Sequence, residues 1–228
     1  MTNNPIIIAL DVDSAAEADA LVDALGPAVD FYKVGMELFA ATGMDYVRNL
    51  SARGKRVFLD MKYYDIGETV RRAVAVVAKS GAYCLTVHAA GQVMRAAAEG
   101  RGSSELKLLA VTVLTSFDQS DIEELGHSGS VSDLVATRAR QAMAACMDGV
   151  IASPMEAAAV RSLVGGEALI ITPGVRSAGI AKSDQKRVMT PAEAIHRGAS
   201  HIVVGRQVTR AADPAAAFAA IQEELRSA

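Results

Sequence analysis

Several signals that would point to nucleic acid, a membrane or a redox centre are missing from this chain. Its 228 residues carry a net charge of −3, so no general basic field attracts nucleic acid. No block of like charges forms a tail, and no segment approaches the roughly 18 apolar residues of a membrane helix. Cys84 and Cys146 have no CxxC or Cys/His spacing, and we expect both to be buried free thiols in a reducing cytoplasm.

The first residues also lack the features of an export signal. Residues 1–14, MTNNPIIIALDVDS, contain no basic residue, and their apolar run is only a few residues long. This composition predicts a first β-strand and not a signal peptide. No shift in composition marks a linker, and a single domain of this length can bury a sizeable core. We therefore expect residues 1–228 to form one domain of a cytoplasmic protein.

Short apolar runs alternate with alanine-rich helical segments along the whole chain. Eight runs are typical of buried strands: 5–11, 31–35, 56–62, 83–89, 106–115, 149–153, 168–174 and 201–206. Apolar strands that alternate with helices indicate a parallel sheet covered by those helices. Eight such units predict a (β/α)8 TIM barrel. An open doubly wound sheet is the alternative, but the first strand lacks the GxGxxG turn of a dinucleotide site.

Charged and polar residues recur at the ends of these strands, which converge on one mouth in a barrel. They are Asp11, Lys33, Asp60, Lys62, His88, Thr115, Ser116 and Arg206. Asp60 and Lys62 lie two residues apart on one strand, so their side chains point the same way. Several buried charges are too costly unless they hold one another or a ligand. The strand ends are therefore the predicted functional site.

The same residues also have structural interpretations, taken one at a time. Asp60 and Lys62 can form an ion pair within the strand. Asp65 can cap the next helix, because a glutamate follows at the capping-box spacing. Arg206 can lie on the surface at a strand end, and we interpret His88 as a barrel-end histidine without a catalytic role. Local sequence alone leaves these alternatives open.

At these positions the sequence resembles the bacterial type of the orotidine 5′-phosphate decarboxylase family. That family carries an Asp-x-Lys-x-x-Asp segment after its third strand, present here as Asp60, Lys62 and Asp65. The similarity continues in order along the chain through ALDVDS, FYKVG, VTVLTS, ITPGVR, SDQKRVMTP and VVGRQVTRAADP. The chain departs from many bacterial members at Tyr63-Tyr64, Gly67-Glu68 and Ser177, where they carry Phe-His, Pro-Asn and Pro.

The resemblance implies a reaction: loss of CO2 from C6 of orotidine 5′-phosphate to give UMP in de novo pyrimidine synthesis, with no metal or organic cofactor. Lys62 would protonate C6, and Asp60 would lie beside the substrate carboxylate. Lys33 and Asp65 would complete an array in which each charge has an opposite neighbour. Members of the family are also homodimers, in which the last Asp of the segment acts across the interface. Asp65 and the nearby Thr69 would therefore reach the partner subunit's site.

The resemblance further implies which residues bind substrate. Asp11 and Lys33 would contact the ribose, Thr115 and Ser116 the pyrimidine. A lid formed by residues 175–189 would close over the phosphate. The complete set of implied contacts is Asp11, Lys33, Asp60, Thr69, Thr115, Ser116, Pro173, Arg176, Gln185, the backbone of Gly205, and Arg206.

Two other functions stay open at this stage. Magnesium-dependent sugar-phosphate decarboxylases and aldolases of the same superfamily share the Asp-x-Lys-x-x-Asp segment, and Glu37 and Asp60 would then be the metal ligands. The DQKR and VVGRQVT segments fit the nucleotide enzyme better. A non-catalytic nucleotide-binding barrel is the second alternative, although a mere binder has no need of a charged array.

Overall fold

The computed structural model describes residues 4–178 and 189–227, which form a closed parallel β-barrel surrounded by helices. Each strand pairs with the next, and the last pairs with the first. The strands are β1 Ile6–Ala9, β2 Phe31–Gly35, β3 Arg56–Tyr63, β4 Cys84–His88, β5 Lys107–Val111, β6 Gly149–Ile151, β7 Leu169–Thr172 and β8 His201–Val204. The predicted (β/α)8 fold is confirmed.

The helices cover the outer face of this barrel. They are α1 Ala15–Leu25, α2 Met36–Ala52, α3 Gly67–Val77, α4 Gly91–Arg101, α5 Gln119–Glu124, α6 Val131–Ala144, α7 Ala157–Val164, α8 Pro191–His196, α9 Arg206–Thr209 and α10 Pro214–Arg226. A 3-10 turn, Gly26–Ala28, follows α1. None of the helices described here is long and apolar enough to cross a membrane.

Alternation along the strands divides the core into two layers. Ile6 and Ile8 of β1 pack against the helices, whereas Ile7 and Ala9 point into the barrel. Burial on both faces explains why the strands are almost continuously apolar. The same alternation in β3 turns Leu59 towards the helices and leaves its even-numbered neighbours facing the barrel axis.

Aromatic and basic side chains fill the barrel near the amino ends of the strands. The Arg56 guanidinium lies 4.4 Å from the centre of the Phe31 ring. His201 contacts the same ring edge to face, with 5.5 Å between ring centres. Neither ring nitrogen of His201 has a hydrogen-bond partner among the described residues. Burial, followed by the charge of Arg56, lowers the pKa of His201 to about 4.

This buried histidine predicts a loss of stability in mild acid. The unfolded chain takes up the proton near the ordinary pKa of 6.5, whereas the folded protein does so only near 4. Between these two pKa values the unfolded state binds more protons than the folded state. The free energy of unfolding is therefore highest above pH 6.5 and decreases as the pH falls from 6.5 towards about 4. At ~1.4 kcal/mol per unit of pKa, the loss is about 3 kcal/mol.

Urea unfolding at about pH 7.5 and about pH 4.5 measures this effect. His201→Leu should flatten the dependence on pH, because the titrating group is removed while the site stays apolar. His196→Leu, at an exposed position, is the matched control and should keep the dependence of the wild type. An unchanged pH dependence in His201→Leu would contradict the assignment.

The two cysteines differ, and one prediction about them is wrong. Cys84 is a buried free thiol inside the barrel, and burial raises its pKa well above the ordinary value. Cys146 is also a free thiol but is exposed. It occupies the turn between α6 and β6 with a φ of +59°, a left-handed conformation typical of surface turns. The helical composition around Cys146 gave no sign of this turn.

Candidate active site

A cavity of about 460 Å³ opens at the carboxyl ends of the strands. Its volume is that of a site for a small molecule. Its base is apolar and includes Ala9, Phe58, Val111, Ile151 and Val203. Most of the residues that the sequence assigned to substrate or catalysis line its walls: Asp11, Lys33, Asp60, Lys62, Thr115, Ser116, Pro173, Arg176, Gly205 and Arg206.

Lys33 and Asp11 form an ion pair across the first two strands. The Lys33 ammonium lies 2.6 Å from Asp11 Oδ1, and Lys33 is only 8% exposed. The carboxylate offsets the cost of burying this charge. A Cβ atom on Gly35 would lie 2.8 Å from the Lys33 ammonium nitrogen and 3.1 Å from Asp11 Oδ1. Glycine at this position therefore leaves room for the pair.

Asp60 and Lys62 form a second ion pair, at the end of β3. The Lys62 ammonium lies 2.8 Å from Asp60 Oδ2. The other carboxylate oxygen accepts a hydrogen bond of 2.9 Å from the hydroxyl of Thr86, on β4. Lys62 has a φ of +49°, a conformation that costs a non-glycine residue about 1–3 kcal/mol and is found at functional sites. The described contacts thus give two Lys/Asp pairs, with Lys33 bonded to Asp11.

Asp65 and Thr69 lie away from this cavity. Both are exposed at the start of α3, and neither is among the described residues that line the cavity. Asp65 Oδ1 accepts a hydrogen bond of 2.6 Å from the backbone N–H of Ile66. Helix α3 has Ile66 as its N-cap residue, with no side-chain cap bond. The interpretation of Asp65 as a helix cap is therefore wrong, because the chain enters the helix one residue later.

The apolar surface beside Asp65 is unusually open. Tyr64 and Ile66 are each 70% exposed, and Met36 at the start of α2 is 60% exposed. The Tyr64 ring meets His88 edge to face, with 5.4 Å between ring centres. Burial, followed by the charges of Arg138 and Lys62, lowers the pKa of His88. Tyr64 and Ile66, the sequence neighbours of Asp65, thus leave apolar area exposed on both sides of it.

Two arginines face the opposite side of the cavity. Arg206 begins α9 directly after β8, and Arg176 follows β7. Burial, followed by the charge of Arg206, lowers the pKa of Arg176. A pair of arginines is suited to bind a doubly charged anion such as a phosphate ester.

A cluster of hydrogen bonds joins the segments that carry these arginines. The Ser177 N–H donates to Gln207 Oε1 at 3.2 Å, and Gln207 Nε2 donates back to Ser177 Oγ at 2.7 Å. The Ser177 hydroxyl donates to Glu224 of α10 at 2.6 Å. Since Ser177 follows Arg176 and Gln207 follows Arg206, these bonds fix the two segments that carry the arginines relative to each other.

The structure describes only the two ends of the predicted lid. Val175 and Met189 form an isolated β-bridge, and the Arg176 N–H donates to the Met189 carbonyl at 3.0 Å. Gln185 lies outside the described residues. Within the two described ranges, no group of three or more His, Cys, Asp or Glu side chains could hold a metal ion.

Sequence reasoning missed Thr86 and Gly35, which shape the site without lying at a charged strand end. Thr86 precedes His88 by two residues on β4, so the two share a face of the strand. That spacing was the available signal, but threonine is also an ordinary residue of apolar strands. Gly35 gave no signal at all, because its role depends on where two other side chains meet.

The arrangement is suited to chemistry on a phosphorylated small molecule. A lysine that can donate a proton stands beside a carboxylate at one side of the cavity, and two arginines stand at the other. An ammonium held in place can supply a proton and stabilise negative charge that develops on a nearby atom. A phosphate bound by the arginines would then lie apart from the lysine and the carboxylate.

Comparison with known proteins gives matches along nearly the whole chain. The profile of the "Orotidine 5'-phosphate decarboxylase / HUMPS family" matches residues 4–221. An orotidine 5′-phosphate decarboxylase of Methylobacterium sp. (strain 4-46) is 52% identical over 226 residues, which cover 98% of this chain and 96% of the relative. One from Caulobacter sp. (strain K31) is 51% identical over 220 residues, 96% of each chain.

Solved structures agree with these sequence matches. The crystal structure of orotidine 5′-phosphate decarboxylase from Lactobacillus acidophilus has a TM-score of 0.84 and 37% identity, and the match covers 97% of this chain and 99% of that one. A crystal structure from Geobacillus kaustophilus, described as an uncharacterized conserved protein, has a TM-score of 0.83 and 35% identity. This match covers 97% of this chain and 100% of the Geobacillus kaustophilus chain.

Proposed function

Since the chain belongs to the orotidine 5′-phosphate decarboxylase / HUMPS family, we propose that it decarboxylates orotidine 5′-phosphate to UMP and CO2. The reaction is a step of pyrimidine biosynthesis. The observation that carries this proposal is the Asp60–Lys62 pair at the cavity wall, 2.8 Å apart, across from Arg176 and Arg206. The cytoplasmic location expected from the sequence stays a prediction.

Lys62 has the central role in the proposed chemistry. The bond between C6 and the carboxylate breaks, CO2 leaves, and the electron pair stays on C6. This carbon has no adjacent group that can delocalise the charge, so catalysis depends on preorganised electrostatics and on a proton donor. The Lys62 ammonium donates its proton to C6 and later regains one from water. No metal or organic cofactor takes part in this scheme.

Asp60 acts on the reactant and on Lys62 at once. Its carboxylate would lie beside the carboxylate of the substrate and disfavour the charged reactant relative to the transition state. Both of its oxygens already have partners, Lys62 at 2.8 Å and Thr86 at 2.9 Å. These bonds hold the carboxylate in place. The sugar-phosphate alternative is not favoured, because the relatives matched along nearly the whole chain are orotidine 5′-phosphate decarboxylases.

Substrate binding is proposed at three places around the cavity. The Asp11–Lys33 pair binds the ribose hydroxyls, while Thr115, Ser116 and Pro173 contact the pyrimidine. Arg206, the backbone N–H of Gly205, Arg176 and Gln185 bind the phosphate under a lid formed by residues 175–189. Binding energy from the remote phosphate is then available to stabilise the transition state through lid closure.

Assembly of two subunits is part of the proposal. Asp65 is exposed outside its own cavity, between Tyr64 and Ile66, which are each 70% exposed. Apolar area of this kind beside a functional site is typical of an interaction surface. A two-fold dimer would cover it and bring Asp65 and Thr69 of each subunit to the other subunit's site. The Lys/Asp array would then be completed across the interface.

Mixing two inactive variants tests this exchange of residues. Asp60→Ala and Asp65→Ala dimers are each expected to be nearly inactive. If Asp65 acts on the partner's site, one site of every hybrid dimer is intact, and random mixing restores about a quarter of all sites. Rates of decarboxylation before and after subunit exchange measure the recovery. Hybrids that form and stay inactive would place Asp65 in its own subunit's site and refute the exchange.

The reaction itself is tested by ultraviolet absorbance. Adding orotidine 5′-phosphate to the purified protein in metal-free buffer with EDTA should lower the absorbance as the conjugated carboxylate is lost. Full activity in EDTA separates this enzyme from a magnesium-dependent relative. Binding of UMP without any release of CO2 from orotidine 5′-phosphate would instead indicate a non-catalytic nucleotide-binding barrel.

A further inference from the structure

The pairing of β3 with β4 is interrupted where the site lies. Leu59 pairs with Leu85, but the next pair is Tyr63 with Val87. Three residues of β3, from Asp60 to Lys62, therefore stand opposite the single residue Thr86 of β4. A bulge of this kind re-aims side chains, and bulges are frequent beside active sites. It also takes the Lys62 N–H out of the regular ladder of backbone hydrogen bonds.

The Thr86 hydroxyl occupies this interruption and bonds to both residues of the ion pair. It accepts a hydrogen bond of 2.9 Å from the backbone N–H of Lys62. It donates its own hydrogen to Asp60 Oδ1, also at 2.9 Å. A hydroxyl can do both, since it has one donor hydrogen and two acceptor lone pairs. Thr86 is fully buried and is not among the described residues that line the cavity.

We propose that Thr86 is a positioning residue for the decarboxylation, acting through Asp60 and Lys62. This inference rests on the proposed function. Lys62 has a φ of +49°, and such a backbone persists only where its surroundings hold it. The hydroxyl supplies that restraint at the Lys62 N–H and orients the Asp60 carboxylate that pairs with the Lys62 ammonium. The Thr86 side chain thus fixes both the backbone conformation of Lys62 and the orientation of the Asp60 carboxylate.

Two pairs of proteins isolate the hydroxyl from the rest of the side chain: the wild type with Thr86→Val, and Thr86→Ser with Thr86→Ala. Thr86→Val keeps the shape and removes the hydroxyl. Thr86→Ser and Thr86→Ala both lack the methyl group and differ from each other only in the hydroxyl. Each variant is assayed for kcat on orotidine 5′-phosphate, for UMP affinity by calorimetry and for Tm. Wild-type turnover in the same assay tests the proposed function separately, and the ratios between variants test Thr86.

We expect loss of the hydroxyl to lower kcat by about 30-fold or more in both comparisons, because displacements near 1 Å cost on the order of 100-fold. Thr86→Ser should stay within about threefold of the wild type, and UMP affinity should change by less than about threefold in every variant. The phosphate and ribose contacts proposed for UMP do not involve Thr86.

Three results would overturn the role of Thr86. Equal kcat in the members of each pair would show that the hydroxyl does not position the site. A serine variant as slow as the alanine variant would assign the effect to the methyl group. A fall in UMP affinity or Tm with kcat unchanged would show a structural role only. If Thr86→Val does not fold, the serine and alanine variants decide the question alone.

Discussion

Replacing Lys62 by alanine is expected to lower kcat by about 10⁴-fold or more, because it removes both the proposed proton donor and a charge that stabilises the carbanion. The change also removes the ammonium that lies 2.8 Å from Asp60, so a carboxylate without a neighbouring positive charge would face the substrate carboxylate. Initial rates from ultraviolet absorbance measure the loss. Calorimetry with UMP and a thermal melt show whether the site and the fold persist.

A second substitution separates the proton from the charge. Lys62→Arg keeps a cation beside Asp60, but a guanidinium holds its proton too tightly to donate it. We therefore expect this variant to be impaired nearly as much as the alanine variant. Lys79→Ala, at an exposed position, should have wild-type activity. Near-normal turnover by Lys62→Arg would refute proton donation and leave Lys62 with an electrostatic role.

Replacing Arg206 by alanine should lower kcat/KM by about 10³-fold while the fold persists, because binding energy from the phosphate is used in the transition state. Its guanidinium fork matches phosphate oxygens, and hydrogen bonds of this charge-assisted kind are among the strong ones. Arg176 remains in the variant, so some phosphate binding should survive. Initial rates over a range of substrate concentrations give kcat/KM.

Orotidine, which lacks the phosphate, provides the decisive control for Arg206. On this substrate the variant and the wild type should differ by less than about threefold, since the interaction removed by the mutation is already missing. Arg197→Ala, at an exposed position on the helix layer, should leave both substrates unaffected. A loss under about tenfold on orotidine 5′-phosphate would argue against the phosphate role.

The barrel was predictable because each strand is buried on both faces, which leaves an apolar run that sequence reading detects. The run 31–35 agrees with β2, Phe31–Gly35. The run 106–115 extended too far, since β5 ends at Val111. Apolar residues continue beyond that point because Val113 is buried in the core outside the strand. Composition reports burial and does not report where backbone pairing stops.

The residues of the site were easier to predict than the contacts they make with one another. Charges at strand ends identified Asp11, Lys33, Asp60 and Lys62, which all line one cavity. The observed pairing of Lys33 with Asp11 depends on the register between neighbouring strands and on the space left by Gly35. The capping-box spacing likewise predicted the wrong role for Asp65, because helix α3 has Ile66 as its N-cap residue. The bulge opposite Thr86 is likewise a property of paired strands.

The contrast between the two cysteines makes the protein easy to label at one place. Cys84 is buried with a raised thiol pKa, so a maleimide dye should react at the exposed Cys146. That residue precedes β6 at the amino ends of the strands, the face of the barrel opposite the mouth. Two preparations that carry donor and acceptor dyes would report subunit exchange by energy transfer. Formation of hybrid dimers could then be measured independently of whether those hybrids are active.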